Sequence, residues 1–355
     1  MGDLFARYLI TTPLPNDRPS SGLLYMHEVT FDYLKVGMSV SDLFLYLSGP
    51  TPLAAIFLLA FGALLLALGG HSLIPATTNL GHHFKISPMV IAIIVVAGGT
   101  SAPELIVSVQ AALAGKSDIA LGNVLGSNVA NSLLVLGIGA LVAPFHMIAP
   151  NSIRNGQIML GFTTLTTASL LIFHAITTIT AISLLIASFA YLFYVMRKGE
   201  VESEDTPPIG FARSIIMITL SIAALLIGSD FMVQGGVILA RNAGMSEAAI
   251  GLSIIAIGTS LPEIVAVIAS ILQKRADVAL GNIIGSNIFN LGIILGIAGL
   301  IAPLPAGPDF SVITLLAFVL VAVVFSSLLI TKIYLNRLIA VVFIGFYFLF
   351  LSQQF

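Results

Sequence analysis

The residues able to do chemistry are few, and they occur twice. Residues 99–131 read GTSAPELIVSVQAALAGKSDIALGNVLGSNVAN, and residues 258–290 read GTSLPEIVAVIASILQKRADVALGNIIGSNIFN. The two stretches align without a gap at an offset of 159, with 15 identities in 33 positions. Two apolar helices can share Leu, Ile and Ala by chance. They do not also share Thr-Ser-x-Pro-Glu, Asp-x-Ala-Leu-Gly-Asn and Gly-Ser-Asn at one fixed spacing. The chain is internally duplicated. Each copy sets a single carboxylate, Glu104 or Glu263, in a long apolar run. In a membrane such a group costs at least ~2.5 kcal/mol on insertion scales, so it marks an ion or proton site. The plain alternative is a carboxyl locked in a structural hydrogen bond.

Around each Glu stand the oxygens that a hard cation needs. Gly99, Thr100, Ser101 and Pro103 precede Glu104, and Gly258, Thr259, Ser260 and Pro262 precede Glu263. A proline lacks a backbone donor and obstructs the carbonyl one turn back, which frees carbonyls near Gly99 and Ala97, and near Gly258 and Ala256. Carbonyls, hydroxyls and one carboxylate form an all-oxygen shell suited to Na⁺ or Ca²⁺. Without the Glu, the same Gly and Pro would merely kink a helix and the Thr and Ser repair it. In the following helix Asn123, Ser127 and Asn131 fall four apart and share a face, as do Asn282, Ser286 and Asn290. Asn128 and Asn287 lie on another face, where bonding between helices is as good a reading as ion contact. Asp118 and Asp277 start their helices and read as caps or as cation attractors at a pathway mouth. His71 and Asp230 occupy aligned positions and break the repeat.

Apolar helices must position these groups. Of 355 residues, 58% are hydrophobic and 8% charged, against about 25% charged in soluble domains. That balance excludes a cytosolic enzyme, a disordered chain and a basic nucleic-acid binder. With no cysteine, thiolate metal sites and disulfides are excluded as well. No HExxH, Walker, GxSxG or dinucleotide fingerprint appears. Runs of about twenty apolar residues, the length that crosses roughly 30 Å of hydrocarbon, predict ten spans: 53–78, 86–114, 119–142, 156–173, 175–196, 213–240, 246–272, 278–301, 310–330 and 333–351. The expected fold is an all-α polytopic membrane protein of two five-helix repeats. Its domains are a poorly ordered extension at 1–50, a first repeat at 51–196, a loop at 197–212 and a second repeat at 213–355. The extension lacks the apolar stretch of a signal peptide, and Met26 or Met38 would serve as a later start.

The motifs occupy spans two and three, and spans seven and eight. Five crossings separate them, so the copies enter the membrane from opposite sides, with helices 2, 3, 7 and 8 expected to be broken. Inverted repeats with interrupted helices at the midplane characterise secondary transporters. Nine Lys and Arg fall on one side (Lys85, Arg154, Arg197, Lys198, Arg213, Lys274, Arg275, Lys332, Arg337) and five on the other. The positive-inside bias puts the central loop in the cytoplasm and both termini outside the cell inner membrane.

GTSxPE followed by GNxxGSNxxN, twice, resembles the cation/calcium exchanger superfamily, in its prokaryotic sodium/calcium exchanger-like branch. The resemblance covers roughly residues 53–351. It implies an antiporter that exchanges Na⁺ for Ca²⁺ by alternating access at four adjacent sites. The implied Ca²⁺ ligands are Glu104 and Glu263 with the carbonyls of Thr100 and Thr259. The implied Na⁺ ligands are Ser101, Ser127, Ser260 and Ser286 with the carbonyls of Ala97 and Ala256, and Asn131 and Asn290 complete the set. Some relatives have Asp at one of these last positions. Two Asn leave two formal charges, which predicts fewer than three Na⁺ per Ca²⁺ or a protonatable Glu. The expected partners are inorganic cations and the bilayer, not nucleic acid, with no tightly bound cofactor and a monomeric unit. Exchange driven by H⁺, or assisted by K⁺, on the same fold is the alternative reading. A passive channel fits less well, since channels ring one motif about an axis. An intramembrane hydrolase lacks a nucleophile and an oxyanion hole.

Overall fold

The structure, a computed structural model, describes residues 40–198, 210–245, 256–308 and 310–352. In chain order these form α1 (Val40–Ser48), α2 (Pro52–Phe84), α3 (Pro88–Thr100), α4 (Ala102–Leu113), α5 (Ser117–Val142), β1 (Phe145–His146), α6 (Ser152–Phe173), β2 (Ala175–Ile176) and α7 (Thr178–Lys198). The second half continues with α8 (Phe211–Asn242), α9 (Ala256–Gly258), α10 (Leu261–Leu272), α11 (Ala276–Ile301), β3 (Leu304–Pro305), α12 (Val312–Thr331), β4 (Tyr334–Leu335) and α13 (Arg337–Ser352).

Among the described residues seven helices are long and apolar enough to cross a membrane: α2, α5, α6, α7, α8, α11 and α12. The bent pair α3 and α4, which meet at 50°, makes an eighth. The remaining two predicted spans give the shorter apolar helices α10 and α13, and residues 246–255 of the predicted span 246–272 lie outside the described residues. Residues 1–39 of the expected extension and 199–209 of the central loop also lie outside them. The end of the extension forms α1, because Phe44 and Leu45 find apolar partners in a core of Ala55, Leu58, Phe231 and Ile238.

The duplication is written into the backbone. α4 and α10, the starts and ends of α5 and α11, β1 and β3, and β2 and β4 are all displaced by the same 159 residues. So are two π-helical turns, Ala130–Val135 in α5 and Phe289–Ile294 in α11. β1 pairs antiparallel with β4 (Phe145 with Leu335), and β2 with β3 (Ile176 with Leu304). Shifting Phe145 forward and Leu335 back by that offset gives Leu304 and Ile176, so the ladders exchange partners. The helices repeat this. A Cβ built on Gly137 would stand 3.2 Å from the carbonyl oxygen of Ala340, and one on Gly296 would stand 3.2 Å from that of Ala181.

The breaks differ from expectation. α3 and α4 part at Ser101, and α9 and α10 part at Thr259 and Ser260, each just ahead of a proline. The helices expected as broken 3 and 8 are continuous as α5 and α11. They contain no proline, and each absorbs its irregularity as a π-turn.

The chain falls into two compact units, residues 1–64 with 227–258, and residues 65–226 with 259–355. In the first, the rings of Phe44, Phe57, Phe61 and Phe231 form a chain with centroids 4.9 to 5.7 Å apart. Here Ser41 donates to the Asp230 carboxylate at 2.5 Å, and Ser229 donates to the carbonyl of Gly258 at 2.7 Å. The second unit holds both Glu-bearing helices. Its helices approach closely at glycines. A Cβ on Gly285 of α11 would lie 2.7 Å from Ile93 Cα and 2.8 Å from Ala97 Cβ of α3. Gly285→Ala is therefore expected to cost about 1–3 kcal/mol through overpacking. Gly161→Ala, where nothing lies within 4 Å, should be neutral or slightly stabilising as a helix-interior change. Thermal unfolding midpoints in detergent compare the two.

Candidate cation site

Glu104 and Glu263 each stand in the first turn of a helix that starts immediately after a break. Ala102 and Pro103, and Leu261 and Pro262, open these helices with proline at an N-terminal position, where its missing N–H costs nothing. The proline thus both ends one helix and starts the next, and it fixes the carboxylate one residue further on. Both Glu residues are 2% exposed. Thr100 and Ser101 are fully buried, and Ala97, Asn131, Ser260, Asn282, Ser286 and Asn290 are buried as well. Ser127 and Thr259 are half-buried.

The second unit brings the two motif copies into direct contact. Ser101 Oγ donates to Glu263 Oε1 at 3.4 Å, and the Thr100 hydroxyl also interacts with the Glu263 carboxylate, which lies within electrostatic range of Glu104. Thr100 Oγ1 also reaches Asn282 Oδ1 and the carbonyl of Ala97, both at 3.4 Å. Asn123 Nδ2 donates to the Glu104 carbonyl at 3.0 Å and to Ser108 Oγ at 2.8 Å. Glu104 Oε2, Glu263 Oε2, Ser286 Oγ and both side-chain polar atoms of Asn290 are buried without a protein hydrogen bond. Buried polar groups in folded proteins are almost always satisfied, and a buried carboxylate oxygen left alone is costly. The donor set suits a hard cation: two carboxylates, hydroxyls, amide oxygens and helix-break carbonyls. Among the described residues no group of three or more His, Asp or Glu assembles, so the charge comes from these two carboxylates.

Ala256 opens α9 in the other unit. Asn123 and Asn282 were legible as part of the polar stripe, but their bonds to the Glu104 carbonyl and to Thr100 depend on helix contacts that no local pattern announces. Asn128 and Asn287 face away from the carboxylates. Asn287 Nδ2 donates to Ser132 Oγ at 3.0 Å, Asn128 Nδ2 bonds within its helix, and a cavity of about 10 Å³ lies beside them against α6 and α12. Neither Asp at a motif-helix start makes a side-chain cap. Asp118 accepts from the Gly307 amide at 2.8 Å, and Asp277 pairs with Arg275 at 2.7 Å. His83 stacks on Phe211, with ring centroids 4.7 Å apart.

Comparisons with known proteins bear on the family and the fold. The family model described as sodium/calcium exchanger protein matches residues 54–197 and 213–355. CaxA of Alkalimonas amylolytica is 38% identical over 261 residues, covering 70% of this chain and 81% of its own length. The sodium/calcium exchanger MaX1 of Methanosarcina acetivorans is 28% identical over 326 residues, covering 76% and 90%. Among solved structures, the sodium-calcium exchanger NCX_Mj superposes with a TM-score of 0.73 at 26% identity, covering 83% of this chain and 97% of its own.

Asn123→Ala should remove the two side-chain bonds to the Glu104 carbonyl and to Ser108 Oγ, at a cost of about 1–3 kcal/mol. The expected outcome is a lower melting temperature and a weaker thermal shift on adding Ca²⁺, read by scanning fluorimetry against the unsubstituted protein.

Proposed function

Because the chain belongs to the sodium/calcium exchanger family, we propose that it is a multi-pass membrane antiporter exchanging Na⁺ for Ca²⁺ at the Glu104/Glu263 site. The observation that carries this reading is the pair of buried carboxylates, each with an unpartnered oxygen, joined across the two motif copies through Ser101. An apolar interior does not keep two such groups ionised unless something positive arrives. A cation that can also leave makes the site a carrier rather than a permanent structural centre.

In this reading Ca²⁺ sits between Glu104 and Glu263 with the carbonyls of Thr100 and Thr259. Na⁺ uses Ser101, Ser127, Ser260 and Ser286 with the Ala97 carbonyl, and Asn131 and Asn290 close the ring. Ten spans in two inverted repeats expose the site alternately to each side. Support for the inversion comes from the two short ladders. The ten-span plan puts the β1 and β4 loops on one face and the β2 and β3 loops on the other, and those are the pairs that bond. Asp118 and Gly307, which share a hydrogen bond, also fall on one face of that plan. The Lys and Arg bias makes the β1/β4 face cytoplasmic and sets both termini outside the cell membrane. A single chain carries both halves of the site, which supports a monomeric unit.

With Asn at both 131 and 290, the site has two negative charges. One Ca²⁺ or two Na⁺ match them, and a third Na⁺ has no compensating charge, so the expected exchange is below three Na⁺ per Ca²⁺. Glu104→Gln or Glu263→Gln should abolish ⁴⁵Ca²⁺ uptake driven by a Na⁺ gradient in proteoliposomes, and undiminished uptake in either variant would sink the assignment. Charge moved per Ca²⁺ in the same vesicles measures the stoichiometry, with clear electrogenic three-to-one exchange as the contrary outcome. Replacing the Na⁺ gradient by a pH gradient tests H⁺ coupling, which a midplane Glu can also support.

A further inference from the structure

The turn joining α10 to α11 does not match its counterpart between α4 and α5. In the first copy the left-handed position is Gly115, with φ of 69°, and in the second it is Lys274, with φ of 61°. A residue with a Cβ costs about 1–2 kcal/mol in that region, and such conformations persist where surrounding contacts over-determine them. The backbone closes this turn through the Lys274 and Arg275 amides, which donate to the Ile271 and Ser270 carbonyls, and the side chains of the two residues flanking Lys274 both reach α2.

Gln273 Nε2 donates to the carbonyl of His71 at 3.2 Å. That carbonyl lies four residues before Pro75, so the helix supplies it no N–H, and the side chain of Gln273 takes that place. On the other flank Arg275 Nη1 donates to Thr78 Oγ1 at 2.9 Å. Its Nε and Nη2 hold the two Asp277 oxygens at 2.9 and 2.7 Å, which aims the guanidinium fork. Gly70 lies against Val265 and Ala269 of α10, where an added Cβ would come within 2.9 and 3.1 Å.

The first copy cannot build this grip. At the offset of 159, Gln273 and Arg275 correspond to Ala114 and Lys116, while His71, Pro75 and Thr78 correspond to Asp230, Gln234 and Val237. There is no proline to free a carbonyl, no amide to fill it and no hydroxyl to receive a guanidinium. We propose that Gln273 and Arg275 are positioning residues that tether α2 to the α10–α11 turn. They hold closed the cytoplasmic face on which that turn lies. This inference rests on the alternating-access reading for its direction, whereas the tether itself does not.

The chain contains no cysteine, so one introduced thiol reports without background. Thr77, fully buried on α2, is replaced by Cys and exposed to a membrane-impermeant maleimide from the cytoplasmic side of inside-out vesicles. Adding Gln273→Ala with Arg275→Ala should raise its labelling rate roughly tenfold, the scale set by losing two hydrogen bonds, one of them charged. Cys in place of buried Ser188 on α7 should stay slow. An unchanged rate at position 77 overturns the tether, and so does a rise at both positions, which would mean general loosening. Hydrogen–deuterium exchange of residues 65–84 in the double variant without any Cys provides a second measurement. Faster exchange there but not in α7 is expected, and no change counts against the tether. Na⁺-driven Ca²⁺ uptake by the unsubstituted protein tests the exchange reading separately, since its absence would leave the labelling result standing.

Discussion

Everything in this molecule is arranged around two carboxylates placed where water cannot reach them. An ionised Glu in an apolar interior is tolerable only with compensating groups at hydrogen-bond range or with a counter-ion. Glu104 and Glu263 are 2% exposed, and among the described residues the groups bonded about them are neutral oxygens and amides rather than Lys or Arg side chains. A fixed basic partner would have satisfied the carboxylates permanently and made the centre inert. In the exchange reading proposed above, leaving the charge to a mobile cation turns an energetic problem into an affinity. The helix breaks serve the same end. Proline cannot continue the first helix but starts the second at no cost, so each Glu is fixed in the first turn beyond a helix break.

Duplication supplies this arrangement twice, and each copy contributes groups to the other. Ser101 of the first copy donates to Glu263 of the second, and α11 packs on α3 through Gly285. The symmetry is nevertheless imperfect in places that matter for function. Asp118 is held by a backbone amide of a distant loop, whereas Asp277 is held by a neighbouring Arg. Pro75 and Lys274 have no counterparts of their type at the matching positions.

How much of this could be read from the sequence depended on whether the determinant was local. Glu104 and Glu263 were legible because a charge in an apolar run is rare, and the breaks were legible at Pro103 and Pro262 because proline acts on its own backbone. The offset of 159 was fixed by polar identities and reappears in nearly every element boundary of the motif region. The continuity of α5 and α11 was not legible. A π-turn adds a residue without needing any particular side chain, and Asn131 and Asn290 sit inside such turns, so the expected breaks at those helices were wrong. The role of Asp230 also escaped, because its partner Ser41 lies 189 positions away. The His71 carbonyl escaped for the same reason: Pro75 announces a free acceptor, but only the fold names Gln273 as its donor.

The two-residue ladders carry a consequence for biogenesis. Phe145 pairs with Leu335, about 190 positions later, and the other ladder closes across a separation of more than 120. At a synthesis rate of about 5–20 residues per second, the earlier strand waits roughly ten to forty seconds for its mate. During that interval the first half already resides in the bilayer with its carboxylate helix lacking the opposite copy. The nascent chain must therefore be stable enough in lipid to wait, yet loose enough to admit its second half. Both ladders close only after α11, and with it the second copy of the motif, has been made.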